Sequence, residues 1–163
     1  MKKVLVVMGS DSDLKVMEKC VDRLKSFDIP VEVRICSAHR TPAVAEQLAK
    51  NAAEEGFGVI IAAAGKAAHL GGVLAAYTTL PVIGVPMATS VMGGMDSLLS
   101  IVQMPKGIPV ATVAIDGADN AAILAAQMIA LSDEALAAKL AAFKDDMAAE
   151  VTAKDEKVRA QFA

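Results

Sequence analysis

The sequence predicts an α/β fold: a three-layer α/β/α sandwich around a parallel five-stranded sheet, with a long C-terminal helix. Three observations predict it. Short β-branched runs alternate with helical stretches along the chain. The runs are nearly wholly apolar, as strands covered on both faces of a parallel sheet must be. Right-handed crossovers then put helices on both faces, and a flavodoxin-like strand order follows as the expected version. At 163 residues the chain suits a single domain spanning 1–163 and is too short for two.

Each element has its own signal. Lys3 to Met8 reads as the first strand, and Asp13 to Phe27 as a helix with Leu14, Met17, Val21 and Leu24 on one face. Val31 to Cys36 reads as the second strand. Pro42 suits the first turn of the helix that follows, which runs Ala-rich to Glu55 and stops at a Gly56-Phe57-Gly58 break. Val59 to Ala63 is the third strand, Ala67 to Tyr77 a helix, Pro81 to Val85 the fourth strand, and Met95 to Gln103 a helix. Pro109 to Ile115 is the fifth strand. Helices over Ala118 to Leu131 and Asp133 to about Ala160 close the chain.

The Ala67–Tyr77 helix has almost no polar side besides His69, and a helix apolar all round is buried all round. Self-association is therefore expected to cover its outer face, ahead of coverage by the C-terminal helix. That last helix carries Leu136, Leu140, Phe143, Met147 and Val151 at spacings of three and four, a stripe able to pack on its own domain or on a neighbour.

Composition excludes several classes. A net charge of −3 and a pI near 5.4, with basic residues scattered singly, do not supply the basic face that nucleic acid requires. Between Gly56 and Met95 only Lys66 is charged, histidine aside, but glycines and prolines break that stretch into pieces too short for a membrane span. Cys20 and Cys36 lack metal-ligand spacing and read as buried, reduced thiols of a cytoplasmic protein. No G-x-G-x-x-G follows a strand and no G-K-[ST] ends a phosphate loop. No metal-ligating cluster of His, Cys and carboxylates is spaced for an ion.

Three loops fall where open α/β sheets place ligands, beyond the carboxyl ends of strands. In Gly9-Ser10-Asp11-Ser12-Asp13, a serine hydroxyl and free helix-start amides suit a phosphate, and Asp13 can accept from sugar hydroxyls. Asp11 fits less well, since a carboxylate repels a phosphate. In Ser37-Ala38-His39-Arg40-Thr41-Pro42, Arg40 offers a planar fork for an anion and His39 a proton donor or acceptor near neutral pH. In Ala64-Gly65-Lys66-Ala67-Ala68-His69-Leu70-Gly71-Gly72, small residues let a planar ring lie against the backbone. Each loop taken singly is also compatible with ordinary helix capping or a structural histidine.

Together these three motifs, with Asp96-Ser97-Leu98-Leu99-Ser100-Ile101-Val102-Gln103-Met104-Pro105 and Gly107-Ile108-Pro109-Val110, resemble the N5-carboxyaminoimidazole ribonucleotide mutase family of bacterial purine biosynthesis. The resemblance covers roughly Val4 to Leu131. It implies a reversible carboxylate transfer within one small nucleotide, without ATP, metal or organic cofactor, in a flavodoxin-like octamer with sites at subunit contacts. It implies that His39 is the catalytic proton carrier, and that Ser10, Asp13 and Arg40 hold the ribose phosphate. Ser37 and Ala38 would shape the pocket; Gly65, Ala67, Ala68, His69 and Leu70 would line the base and carboxylate region. His69 favours the mutase over the related direct carboxylase, whose loop typically carries Arg-Ser-Asn there. Two positions depart from the family pattern: Gly71 stands where proline is usual, and Lys66 where a small residue is common.

Overall fold

The computed structural model describes residues 1–163. Five parallel strands, β1 (Lys3–Met8), β2 (Val31–Ile35), β3 (Phe57–Ala64), β4 (Val82–Pro86) and β5 (Ala111–Thr112), lie in the order β2-β1-β3-β4-β5. The helices are α1 (Leu14–Ser26), α2 (Pro42–Asn51), α3 (Leu70–Tyr77), α4 (Met95–Val102), α5 (Ala118–Ala130) and α6 (Glu134–Gln161). This is the flavodoxin-like three-layer arrangement with a long C-terminal helix that the sequence predicts.

Strand side chains alternate between faces, and the core divides accordingly. Val4, Val6 and Met8 of β1 join Val59, Ile61 and Ala63 of β3 under α1, α5 and the start of α6. Leu5 and Val7 join Ile60 and Ala62 under α2, α3 and α4. Each fully buried valine, leucine or isoleucine contributes about 1.5–3 kcal/mol by leaving water. Ala118, Ala121, Ala122, Ala125 and Ala126 of α5 are all buried, which lets α5 lie close against α1.

Cys20 and Cys36 are unpaired and buried in opposite layers. Burial, with a lesser push from Asp119, raises the Cys20 thiol to about 12. No helix is long and apolar enough to cross a membrane.

Several boundaries differ from expectation. The third strand starts at Phe57, so the Gly56-Phe57-Gly58 break shrinks to Gly56, whose φ of 90° turns the chain. Gly58 lies within the strand, at a point where a Cβ would sit 2.8 Å from Lys2 Cβ and glycine permits the close approach. The fifth strand is two residues, not Pro109 to Ile115, and pairs with β4 only through Ala111 and Thr112. Helix α2 ends at Asn51 and the chain reaches Gly56 through turns. Helix α3 starts at Leu70, not Ala67, because Lys66 is left-handed and His69 N–H donates to Ala67 O in a tight turn.

The expectation of strands covered on both faces fails for β2, an edge strand whose Val33 and Ile35 are exposed. Helix α3 buries Leu70, Gly71, Leu74 and Ala75, while Ala76 and Tyr77 are exposed. The C-terminal helix does not cover it, for α6 packs with α5 on the opposite layer. Asp133 caps α6, accepting from Leu136 N–H at 3.0 Å. Its first turns pack through Leu136, Leu140 and Phe143, the last meeting Phe27 edge-on at 5.5 Å. Met147 and Val151, the rest of the predicted stripe, are exposed.

Candidate active site

The carboxyl ends of β1 to β4 open into one cavity of about 590 Å3. Its walls come from Gly9, Ser10, Ser12 and Asp13 after β1, from Ser37 to Arg40 after β2, and from Ala64 to Ala67 with Leu70 after β3. The loop after β4 closes the fourth side with Met87, Ala88, Thr89 and Ser90.

Sequence reasoning missed that fourth wall, although the rule that located the other three loops applies equally beyond Pro86. It also missed Asp116, whose carboxylate accepts from Ala88 N–H at 2.9 Å and so fixes the wall from the β5–α5 side. Asp116 holds a left-handed φ of 56° to do so, a conformation aspartate tolerates better than most residues.

The first two loops are tied together by Arg40. Its Nη2 donates to Gly9 O at 3.2 Å and its Nε to Ser37 Oγ at 3.3 Å. Ser37 Oγ also accepts from Arg40 N–H at 3.2 Å, and Thr41 closes the turn by donating from Oγ1 to Ser37 O at 3.0 Å. A guanidinium has five N–H donors, so the fork is held in place with donors left over for an anion.

Asp13 is nearly buried beside the short 3₁₀ turn Asp11–Asp13. Burial pushes its carboxyl above the ordinary value near 3.8; Ser12 Oγ, donating at 3.2 Å, partly offsets this, and Asp116 and Asp11 add to the rise. A carboxylate short of donors is a ready acceptor for ligand hydroxyls. Ser10 Oγ accepts from Ser12 N–H at 3.3 Å, capping the turn.

His39 and His69, thirty residues apart in sequence, meet ring to ring beside the cavity. His39 Nε2 lies 3.0 Å from His69 Nδ1, with the rings edge-to-face at 86°. One ring donates and the other accepts, which leaves His39 Nδ1 without a protein partner. His69 does not itself line the cavity, and neither does Ala68, which is fully buried under the loop. Ser10, Asp13, Ser37, Ala38, His39, Arg40, Gly65, Ala67 and Leu70 do line it. Gly65 allows the third and fourth loops to meet: a Cβ there would press Met87 Cβ at 3.3 Å. No group of three or more His, Cys, Asp or Glu side chains gathers to hold a metal ion.

A sequence model of the AIR carboxylase family matches residues 3–150. The chain belongs to the AIR carboxylase family. It is 56% identical over 153 residues to the N5-carboxyaminoimidazole ribonucleotide mutase of Mycobacterium leprae, covering 94% of this chain and 90% of that one. It is 52% identical over 159 residues to the mutase of the same name from Methanocaldococcus jannaschii, covering 98% and 99%. Among solved structures it is similar to Treponema denticola PurE, with a TM-score of 0.84 and 30% identity over 94% of this chain and 96% of that one. The family expected from the motifs is thus met, and so is the expected kind of enzyme, a mutase.

Proposed function

We propose that the chain converts N5-carboxyaminoimidazole ribonucleotide to 4-carboxy-5-aminoimidazole ribonucleotide in purine biosynthesis. The observation that carries the reading is the convergence of Asp13, from the loop after β1, with His39 and Arg40, from the loop after β2, on one cavity beyond the strand ends. The names of its relatives support it.

In this reading Arg40, Ser10 and the amides of the first loop hold the phosphate, and Asp13 accepts from ribose hydroxyls. Ser37 and Ala38 shape the wall beside them. Gly65, Ala67 and Leu70 lie along the imidazole ring, with Ala68 supporting that loop from below. His39 carries the proton. The carbamate C–N bond breaks, its electron pair stays on N5, and the His39 proton goes to N5, leaving CO2 and the aminoimidazole. C4 of the ring then attacks CO2, and the C4 proton returns to His39. Donor and acceptor roles balance over the cycle, so no external acid, base or cofactor is consumed. His69 steadies the His39 ring through Nε2, and the wall around Leu70 and Met87 limits escape of CO2.

The exposed side of α3, together with exposed Met95, Leu99 and Val102 of α4, supports self-association; the octamer and a place in the cytoplasm are carried over from the family resemblance. Light scattering that returned the mass of a single chain at micromolar concentration would overturn the octamer. The activity is tested by incubating purified protein with the carbamate nucleotide and following the C4-carboxylated product directly. Rapid bicarbonate-independent conversion is expected; product formation only from the uncarboxylated nucleotide plus bicarbonate would make the chain a direct carboxylase instead.

A further inference from the structure

The β3–α3 loop carries a charge that no other group in the chain answers. Lys66 is the sole Asp, Glu, Lys or Arg between Gly56 and Met95, and the residue lines the cavity. It takes part in no ion pair and no side-chain hydrogen bond, whereas Arg40 is bonded to two loops. Its backbone is left-handed, with φ of 54°. A long side chain rarely adopts that region, and such departures cluster where a ligand is handled.

The sheet order sets where this charge stands relative to the first cation. Arg40 follows β2 and Lys66 follows β3, with β1 between them. Two strand spacings separate the loops, about 10 Å at the backbone. The cavity therefore has two cationic residues, on the β2 and β3 loops, and a single lining carboxylate, Asp13. A ligand that matches it has two anionic groups bridged by a neutral, hydroxyl-bearing body. A phosphorylated ribose joined to a carboxylated five-membered ring has that shape and charge.

We infer that Lys66 binds the migrating carboxylate of the substrate, so that the cavity prefers carboxylated over uncarboxylated aminoimidazole ribonucleotide. The inference rests on the mutase reading above. The ammonium meets the carboxylate before C–N cleavage and after C–C formation, and contributes less to the neutral CO2 between them. Binding of that kind is shared by substrate and product, so its removal raises KM more than it lowers kcat.

The test measures binding of the stable 4-carboxylated nucleotide and of the uncarboxylated nucleotide by calorimetry, on the native protein and on Lys66→Gly and Lys66→Arg. Glycine accepts the left-handed backbone, so Lys66→Gly keeps the fold. It is expected to lose about tenfold in affinity for the carboxylated nucleotide, the low end for a charged hydrogen bond because the site is open to water. Affinity for the uncarboxylated nucleotide changes by less than about twofold, Lys66→Arg keeps the preference, and the native preference shrinks as salt rises. Equal loss for both nucleotides, or no loss for either, overturns the role of Lys66. A native protein that fails to convert the carbamate overturns the mutase reading and this inference with it. One that converts the carbamate while Lys66→Gly keeps the full preference overturns the lysine's role alone.

Discussion

Replacing His69 with alanine separates a residue that steadies the reacting ring from one that carries the proton. The substitution removes the single bond between His69 Nδ1 and His39 Nε2, 3.0 Å long and between two exposed side chains. Water can take the vacated position on Nε2, so no buried group is left unpaired. A net hydrogen bond of this kind is worth about 0.5–1.5 kcal/mol, which is about a 2- to 12-fold change in rate. His39→Asn removes the proton carrier from both halves of the reaction, and general acid–base catalysis contributes about 10²- to 10⁴-fold in a single step. The assay compares initial rates of C4-carboxylated product for His69→Ala, His39→Asn and native protein, with thermal melts to verify folding. A His69→Ala enzyme as inactive as His39→Asn would refute the reasoning and place His69 in direct contact with the reacting atoms.

Arg40→Ala is expected to weaken nucleotide binding by about ten- to a hundredfold through loss of charge-assisted phosphate bonds; unchanged affinity by calorimetry would contradict the phosphate role. Asp13→Asn is expected to stabilise the free protein at pH 7 while weakening nucleotide binding. The sign follows from a folded-state pKa raised above its unfolded value, mainly by burial: the charged carboxyl destabilises the fold at neutral pH, and that penalty disappears as pH falls through the raised pKa. Melting temperatures of both proteins at pH 7 and near pH 4 should therefore converge on acidification, and a gap that widens instead would reverse the assignment. Gly84→Ala is expected to cost about 1–3 kcal/mol, because a Cβ there would overlap Ile101 Cγ2 and lie 3.1 Å from Val110 Cγ1; an unchanged denaturant midpoint would show that α4 shifts freely.

The strand–helix alternation and the three loops are legible in the sequence because each rests on local chemistry. Lys3 to Met8 reads as a short buried strand, and the strand-end rule directs attention to Ser10, His39 and Gly65. What is not legible depends on partners distant in sequence. The His39–His69 bond spans thirty residues, and nothing local to either histidine shows it. Asp116 looks like a turn residue until the fold brings it to Ala88. The start of α3 is misread because Ala67 and Ala68 are good helix formers, while the left-handed Lys66 and the Ala67–His69 turn keep them out of the helix. Ala68 lies under the cavity wall instead of on it because that turn carries it into the core.

Both native thiols lie within the protein, and Cys20 is held in its unreactive protonated form at neutral pH. A cysteine introduced at Ala67, exposed on the cavity wall, would be the one exposed thiol open to a thiol-selective alkylating reagent. Its rate of modification then reports cavity occupancy against a silent background, by intact mass alone and without following turnover.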